Sequence, residues 1–392
     1  MRLCLVTEFY YPEIGGIQTH VYGLAKMASK HGYDVTVLTT VQSKKRVEKV
    51  DDIRIIRVKF PRYAGFFAIF GLEKKLENIF RQIRPDILHV HHAFSPLGLA
   101  SPAAAKKLGI PIVLTNHSIP IGYEFYKKIW NNLSRVFVLY HKMRNIRKYD
   151  AVIAVSPLAA EYMRLYYPDG KIHIIPPPVD DDFFQVRASK SDVGFDEDEK
   201  IILFVGRIAP KKGLEFALYA FRMLSKLEPN ARLCIVGPSD TPYTIHLKKL
   251  MSGWGLERNV LFMGSVSKEQ LKKLYAASDV FIFPSYGGES FGIVVLESMA
   301  TGTPVVATLG GALGKYIKKY KLGFVTGFNT KRFVAAILKL LGDNELRKRM
   351  GERARQFARF FSWEKTFKRI ENIYRSVMRS DREGSTHIQE PY

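Results

Sequence analysis

The sequence predicts an α/β fold of two Rossmann-like, doubly wound domains facing one another across a cleft. Three observations predict it. Apolar runs of strand length alternate with helical patterns through most of the chain, as expected of parallel sheets covered by helices on both faces. The alternation breaks once, at Pro176-Pro177-Pro178, and then restarts; proline continues neither a helix nor a central strand. The length of 392 residues exceeds one ordinary core but suits two domains of about 150–200 residues each.

Taken in order, residues 3–7 are a short apolar run, followed by a loop with Gly15-Gly16 and a helical pattern over 17–31. Residues 35–40 and 53–58 read as strands, 71–83 as a two-faced helix, 87–92 as a strand, 96–108 as an alanine-rich helix and 112–115 as a strand. A long basic and aromatic helical region is predicted over 123–148, and strands at 151–156 and 172–175 close this half. Asp180-Asp181-Asp182 and the acidic stretch 192–199 read as solvated linker charge. Strands then recur at 201–205, 232–236, 260–262, 280–283 and 305–307, with helices at 213–227, 242–252, 267–276 and 292–301 between them. Helices at 330–341, 344–359 and 363–379 follow. The expected division is a domain over 1–178, a linker over 179–199, a domain over 200–360, a last helix over 361–379 and a polar, disordered tail over 380–392.

Composition narrows the partners. Lys and Arg number 60 against 37 Asp and Glu, a net charge of +23, and such a surface attracts polyanions. Basic and aromatic residues interleave over 59–75, which holds Arg62 and Tyr63, and over 120–150; that pattern reads as an interfacial membrane segment on anionic lipid. No run approaches the roughly 18–20 apolar residues of a spanning helix, and the first residues lack a cleavable leader's length and site. Cys4 and Cys234 fall in separate apolar strands, so no disulfide and a reducing compartment are expected. The expectation is a cytoplasmic protein, peripheral on the cytosolic face of a membrane.

In open α/β sheets, ligands bind beyond the carboxyl ends of the strands, so the chemistry should lie in loops that follow strands. Gly15 and Gly16 stand between a strand and a helix; there the backbone can approach a phosphate aimed at the helix start. The segment is not GxGxxG, which disfavours a dinucleotide. Arg207 and Lys212 flank a second strand–loop–helix passage. Cations at a helix start are unfavourable unless an anion lies between them and the helix, and two of them can neutralise a leaving diphosphate. The third loop, PSYGGESFGIVVLE, carries Glu289 before a helix and Glu297 about two turns into it. Amides around Phe291–Val294, with Gly292 and Ile293 between, suit phosphate oxygens, and Ser290 is counted with them on the donor. Glu289 and Glu297 would repel a diphosphate and make sense facing sugar and ribose hydroxyls. His117 follows a strand end directly, as site residues do. His89, His91 and His92 alternate faces of one strand, so no cluster of metal-ligand character is read.

These motifs resemble the GT-B glycosyltransferases of family 4, over nearly the whole chain. Glu289 and Glu297 match its paired glutamates, Arg207 and Lys212 its basic pair, Gly15-Gly16 its first loop, and GGESFGIVVLESMATGTPVVAT its pattern throughout. Val266, in Gly264-Ser265-Val266-Ser267, matches the loop that contacts the nucleotide base, and FSWEK the start of its last helix. EFYYPEIGGIQTHVYGLA, HVHHAFSPLGLA and LTNHS look nearest to two branches, the phosphatidylinositol mannosyltransferase and the catalytic subunit of phosphatidylinositol N-acetylglucosaminyltransferase. Pro177-Pro178 stand where the family carries Asn-Gly, and Ala312-Leu313-Gly314-Lys315 where it commonly carries a glutamate; the second departure bears on donor-sugar choice.

The resemblance implies a retaining transfer of a hexose or N-acetylhexosamine from a nucleotide-sugar. His117 and Glu289 would lie at the sugar and Gln18, Arg62 and Tyr63 at the acceptor head group. It implies no covalent nucleophile, no cofactor and no essential metal; the departing phosphate takes the acceptor proton. Two rival readings stand beside a phosphoinositol-type lipid acceptor: the same architecture acting on a soluble glycan or small molecule, and a non-catalytic binder of anionic lipid or nucleic acid. The last needs neither the glutamates nor the glycine loops, so no nucleic-acid partner is expected.

Overall fold

The computed structural model describes residues 1–11, 15–40, 47–59, 71–117, 144–168, 170–287, 289–309 and 311–380. The chain divides into two compact units, Met1–Pro177 with Trp363–Tyr392, and Pro178–Ser362. Both are Rossmann-like α/β structures, as the alternation predicts.

The first unit holds β1 (Arg2–Val6), β2 (Asp34–Thr40), β3 (Val47–Val50), β4 (Ile53–Val58), β5 (Ile87–His91), β6 (Ile112–Asn116), β7 (Ala151–Ala154) and β8 (Ile172–Ile174), in the sheet order β3-β4-β2-β1-β5-β6-β7-β8. Every pairing is parallel except β3 with β4. The buried, nearly unbroken apolar runs of β1, β5 and β6 are what two covered faces require. The helices are α1 (Gly16–Lys30), α2 (Leu72–Ile83), α3 (Pro96–Lys107) and α4 (Pro157–Arg164). Ser95 and Ser156 cap α3 and α4, each followed by proline, and their hydroxyls accept from Gly98 and Ala159 N–H. That cap ends the strand predicted over 151–156 at Ala154 and opens a helix the periodicity did not show. Strand β3 also escaped notice, because VEKV is a polar, half-exposed edge. Of the long helix predicted over 123–148, Arg144–Lys148 is a short 3-10 turn; the remainder lies outside the described residues.

The second unit holds β9 (Lys200–Val205), β10 (Ala231–Val236), β11 (Val260–Gly264), β12 (Val280–Phe283), β13 (Val305–Ala307) and β14 (Gly323–Val325), all parallel, in the order β11-β10-β9-β12-β13-β14. Residues 179–199, read from the sequence as a linker, are part of this unit. Val179, Phe183 and Phe195 are buried in its core, α5 (Asp182–Gln185) forms there, and the Val179 N–H donates to the Phe361 carbonyl at 2.8 Å. The aspartates are ion-paired instead of simply solvated: Asp180 with Lys268 and Asp182 with Lys272. Helices α6 (Leu214–Leu227), α7 (Pro242–Gly253), α8 (Lys268–Ala277), α9 (Ile293–Thr301), α10 (Gly314–Tyr320), α11 (Thr330–Gly342) and α12 (Asn344–Ala358) complete the unit. The last helix, α13 (Trp363–Ser380), belongs to the first unit. Its apolar positions Trp363, Phe367, Ile370, Tyr374 and Val377 recur at helical spacing and enter the same core as α1 and β1.

In each sheet the strand order reverses beside the unit's first strand, between β1 and β5 and between β9 and β12. The crevice beyond the carboxyl ends at such a reversal is where these folds hold ligands. Among the described residues, no helix is long and apolar enough to cross a membrane. Cys4 and Cys234 are free and buried, one in each unit, and burial pushes both thiols well above their ordinary value.

Candidate active site

In the second unit the reversal brings the loops after β9 and β12 together. The first runs from Gly206 through a 3-10 turn at Pro210–Lys212 to α6, and the second from Pro284 to the start of α9. Backbone joins them: the Tyr286 N–H and the Ser285 hydroxyl both donate to the Lys211 carbonyl, at 3.0 and 3.2 Å. Gly213 has φ +71°, and a Cβ there would run into the Pro284 carbonyl oxygen, so glycine permits both the turn and the approach. Across this seam the Lys212 ammonium donates to Glu289 Oε1 at 2.6 Å, with both side chains mostly buried. The Ser285 hydroxyl lies 3.4 Å from the same oxygen. Arg207 is exposed, yet close enough with Lys212 to disfavour the charged form of Lys211. Burial is the main force holding that ammonium below its ordinary value, and Glu289 opposes it. Three cations and one carboxylate thus share one strand-end crevice.

Beside them α9 is preceded by Gly292, which has φ +97° and leaves the helix start without a side-chain cap; the first turn holds no acidic residue. Such a start offers unsatisfied N–H groups and a positive dipole end. Phe291 is buried and packs on Phe361, so its side chain is core. Ser290 and Ile293 are half-buried. Glu297 lies on the same helix, with Oε2 accepting from the Tyr275 hydroxyl at 2.9 Å. Burial raises its carboxyl to about 7, the tyrosine bond opposes that rise, and Asp180 adds to it. Val266, after β11, is half-buried against the core.

In the first unit, α1 starts at Gly16 with Gly15 before it and no side-chain cap. The Gln18 amide folds over Gly15, where any Cβ would collide with it. His117 follows β6, and its Nε2 lies 3.2 Å from His91 Nδ1 at the end of β5. His20, one turn into α1, meets His117 edge-on at 4.9 Å between ring centres. Burial pulls all three imidazoles below their usual value, His20 to about 4 and the other two well down. His89 stacks near His91 at 4.4 Å and is tied to the Tyr374 and Thr115 hydroxyls.

Arg62 and Tyr63 lie outside the described residues, as does most of the basic and aromatic sequence at 59–75 and 120–150. Three features escaped the sequence. Lys211 and Ser285 join the crevice through backbone contacts made 74 residues apart. Tyr275 binds Glu297 from another helix. His20, His91 and His117 converge from three elements, so the alternation of faces along one strand could not reveal the cluster.

Residues 185–357 match the family described as glycosyl transferases group 1, and residues 14–183 match glycosyltransferase family 4. An uncharacterized glycosyltransferase of Methanocaldococcus jannaschii is 30% identical over 96% of this chain and 99% of its own. The alpha-monoglucosyldiacylglycerol synthase of Streptococcus pneumoniae is 30% identical over 78% of this chain and 71% of its own. Among solved structures, Anabaena HepE in complex with UDP superposes with a TM-score of 0.77 at 19% identity, over 96% of this chain and all of that one; at that identity the likeness speaks for the fold.

Proposed function

The chain belongs to the group 1 and family 4 glycosyltransferases, and from that premise we propose that it transfers a hexose or N-acetylhexosamine, with retention, to a phosphoinositol-type lipid. It is an enzyme of the nucleotide-sugar-dependent class. The observation that carries the reading is the Lys212–Glu289 pair at 2.6 Å beside the uncapped start of α9. Diphosphate oxygens take the helix amides, Arg207 and Lys212, so no metal is needed to meet the developing negative charge. Binding of the diphosphate draws Lys212 away from Glu289, which frees the carboxylate for a sugar hydroxyl. Glu297 accepts from ribose. The glycosidic centre passes through an oxocarbenium-like state, the departing phosphate takes the acceptor proton, and His117 holds the sugar.

Gly15, Gly16 and Gln18 serve the ligand end of α1 in this scheme. The lipid acceptor and a peripheral position on the cytosolic face are supported by the chain's charge of +23. The name of the Streptococcus pneumoniae relative, a diacylglycerol-glycolipid synthase, points the same way. A thermal-shift screen of nucleotide-sugars tests the donor half. One nucleotide class should raise the melting temperature of the wild type and not that of Lys212→Ala; no response to any nucleotide or nucleotide-sugar overturns it. NMR of the product then reads the anomeric configuration, and inversion removes the retaining mechanism.

A further inference from the structure

Beyond sugar transfer, we propose that His20, His91 and His117, the last shared with the sugar site of the proposed reaction, form a binding site for a divalent metal ion of the zinc class. Each ring offers one nitrogen, and these three atoms lie within 4.8 Å of one another. The closest two, His91 Nδ1 and His117 Nε2, are 3.2 Å apart. That is the separation of two nitrogens that share a tetrahedral ion with bonds of about 2.0–2.1 Å.

A second observation points to a ligand. Both ring nitrogens of His20 and Nε2 of His91 are buried without a hydrogen-bond partner. His20 is 5% exposed and His91 not at all. A buried polar atom left unpaired costs about 1–3 kcal/mol, and an ion held by one nitrogen of His20 relieves that cost at one such atom. The cluster is built rather than incidental. His91 ends β5 and His117 directly follows its neighbour β6, and Trp363 lies against His20 at 5.6 Å between ring centres. Tyr374 and Thr115 hold His89 against His91 from behind. His117 is half-buried.

Three imidazoles are a donor set for Zn2+, Co2+ or Ni2+ and a poor one for Mg2+ or Ca2+, which take oxygen. None of the three rings is bonded to a carboxylate among the described residues. Carboxylate support strengthens such sites 10–100-fold, so weaker binding than at a carboxylate-supported site is expected.

The test uses the full chain without a histidine tag, stripped by a chelator and titrated with Co2+ under visible absorption. Saturation at one equivalent is expected, weakened at least tenfold by His20→Asn and by His91→Gln and unchanged by His246→Asn. No saturable uptake, or undiminished uptake in folded variants, overturns the proposal. Should either variant fail to fold, X-ray absorption of the zinc-loaded wild type decides: three imidazoles around the ion sustain the site, and fewer than three remove it. The readout is metal, not turnover, so its failure leaves the sugar-transfer reading untouched.

Discussion

Lys212 and Glu289 satisfy each other at 2.6 Å while mostly buried, so each substitution has two consequences that separate experimentally. Lys212→Ala and Glu289→Ala each leave a lone charge, which costs stability of about 1–3 kcal/mol. The same changes remove a group that meets charge or hydroxyls in the transition state, which costs about 10²–10³ in kcat. Both variants should stay folded by circular dichroism and lose most turnover; near wild-type turnover in both rejects their roles. Glu297 gives a prediction in pH. Burial raises its carboxyl from an ordinary 4.5 to about 7, so the folded chain holds this proton where the unfolded chain has lost it. The resulting stability is full below about pH 4.5 and disappears as pH rises through 7, with an upper limit of roughly 3 kcal/mol. Glu297→Gln keeps the Tyr275 bond without the ionisation. The wild type should therefore lose stability relative to this variant between pH 5 and pH 8; parallel denaturation curves across that range would contradict the protonated carboxyl.

At the scale of elements, the crevice depends on how closely α6 and the loop after β12 approach. Gly213 sits at φ +71° against the Pro284 carbonyl. Gly213→Ala therefore pays a left-handed strain of about 1 kcal/mol and must also push the two loops apart. A loss of at least 2 kcal/mol in urea denaturation is expected, with weaker nucleotide binding than a surface control such as Gly253→Ala, where nothing lies near an added Cβ. Equal stability of the two variants would show the seam to be soft. The same seam explains what could be read in advance. Each loop is a strand–loop–helix passage with its own glycines and charges, and both were visible as local patterns. Their meeting follows from the β9–β12 pairing, which the doubly wound topology supplies. What local pattern could not carry was recruitment from elsewhere. Val179 and Phe183 look like linker because their partners come from β9 and α9. His20, His91 and His117 are single apolar-face histidines until three elements bring them together. VEKV lacks the apolar alternation that marks a strand, because it needs only one neighbour.

For the whole molecule the deciding quantity is charge. Sixty Lys and Arg against 37 acidic residues leave +23, and about 1 kcal/mol per cation near an anionic leaflet is enough to hold a protein at the surface with a handful of contacts. Attraction between charges must weaken as salt shortens the screening length from about 10 Å at 0.1 M to 3 Å at 1 M. The chain should therefore float with vesicles containing anionic lipid at low salt, fail to float with neutral vesicles, and leave the anionic ones as salt rises. Interleaved aromatic residues would add a component that salt does not release, so a bound fraction persisting at 1 M salt on anionic vesicles would assign part of the affinity to buried rings. Equal flotation with neutral vesicles would make charge irrelevant. Absence of flotation with either would favour a soluble glycan or small-molecule acceptor, with the Lys212–Glu289 crevice and its nucleotide-sugar chemistry unchanged.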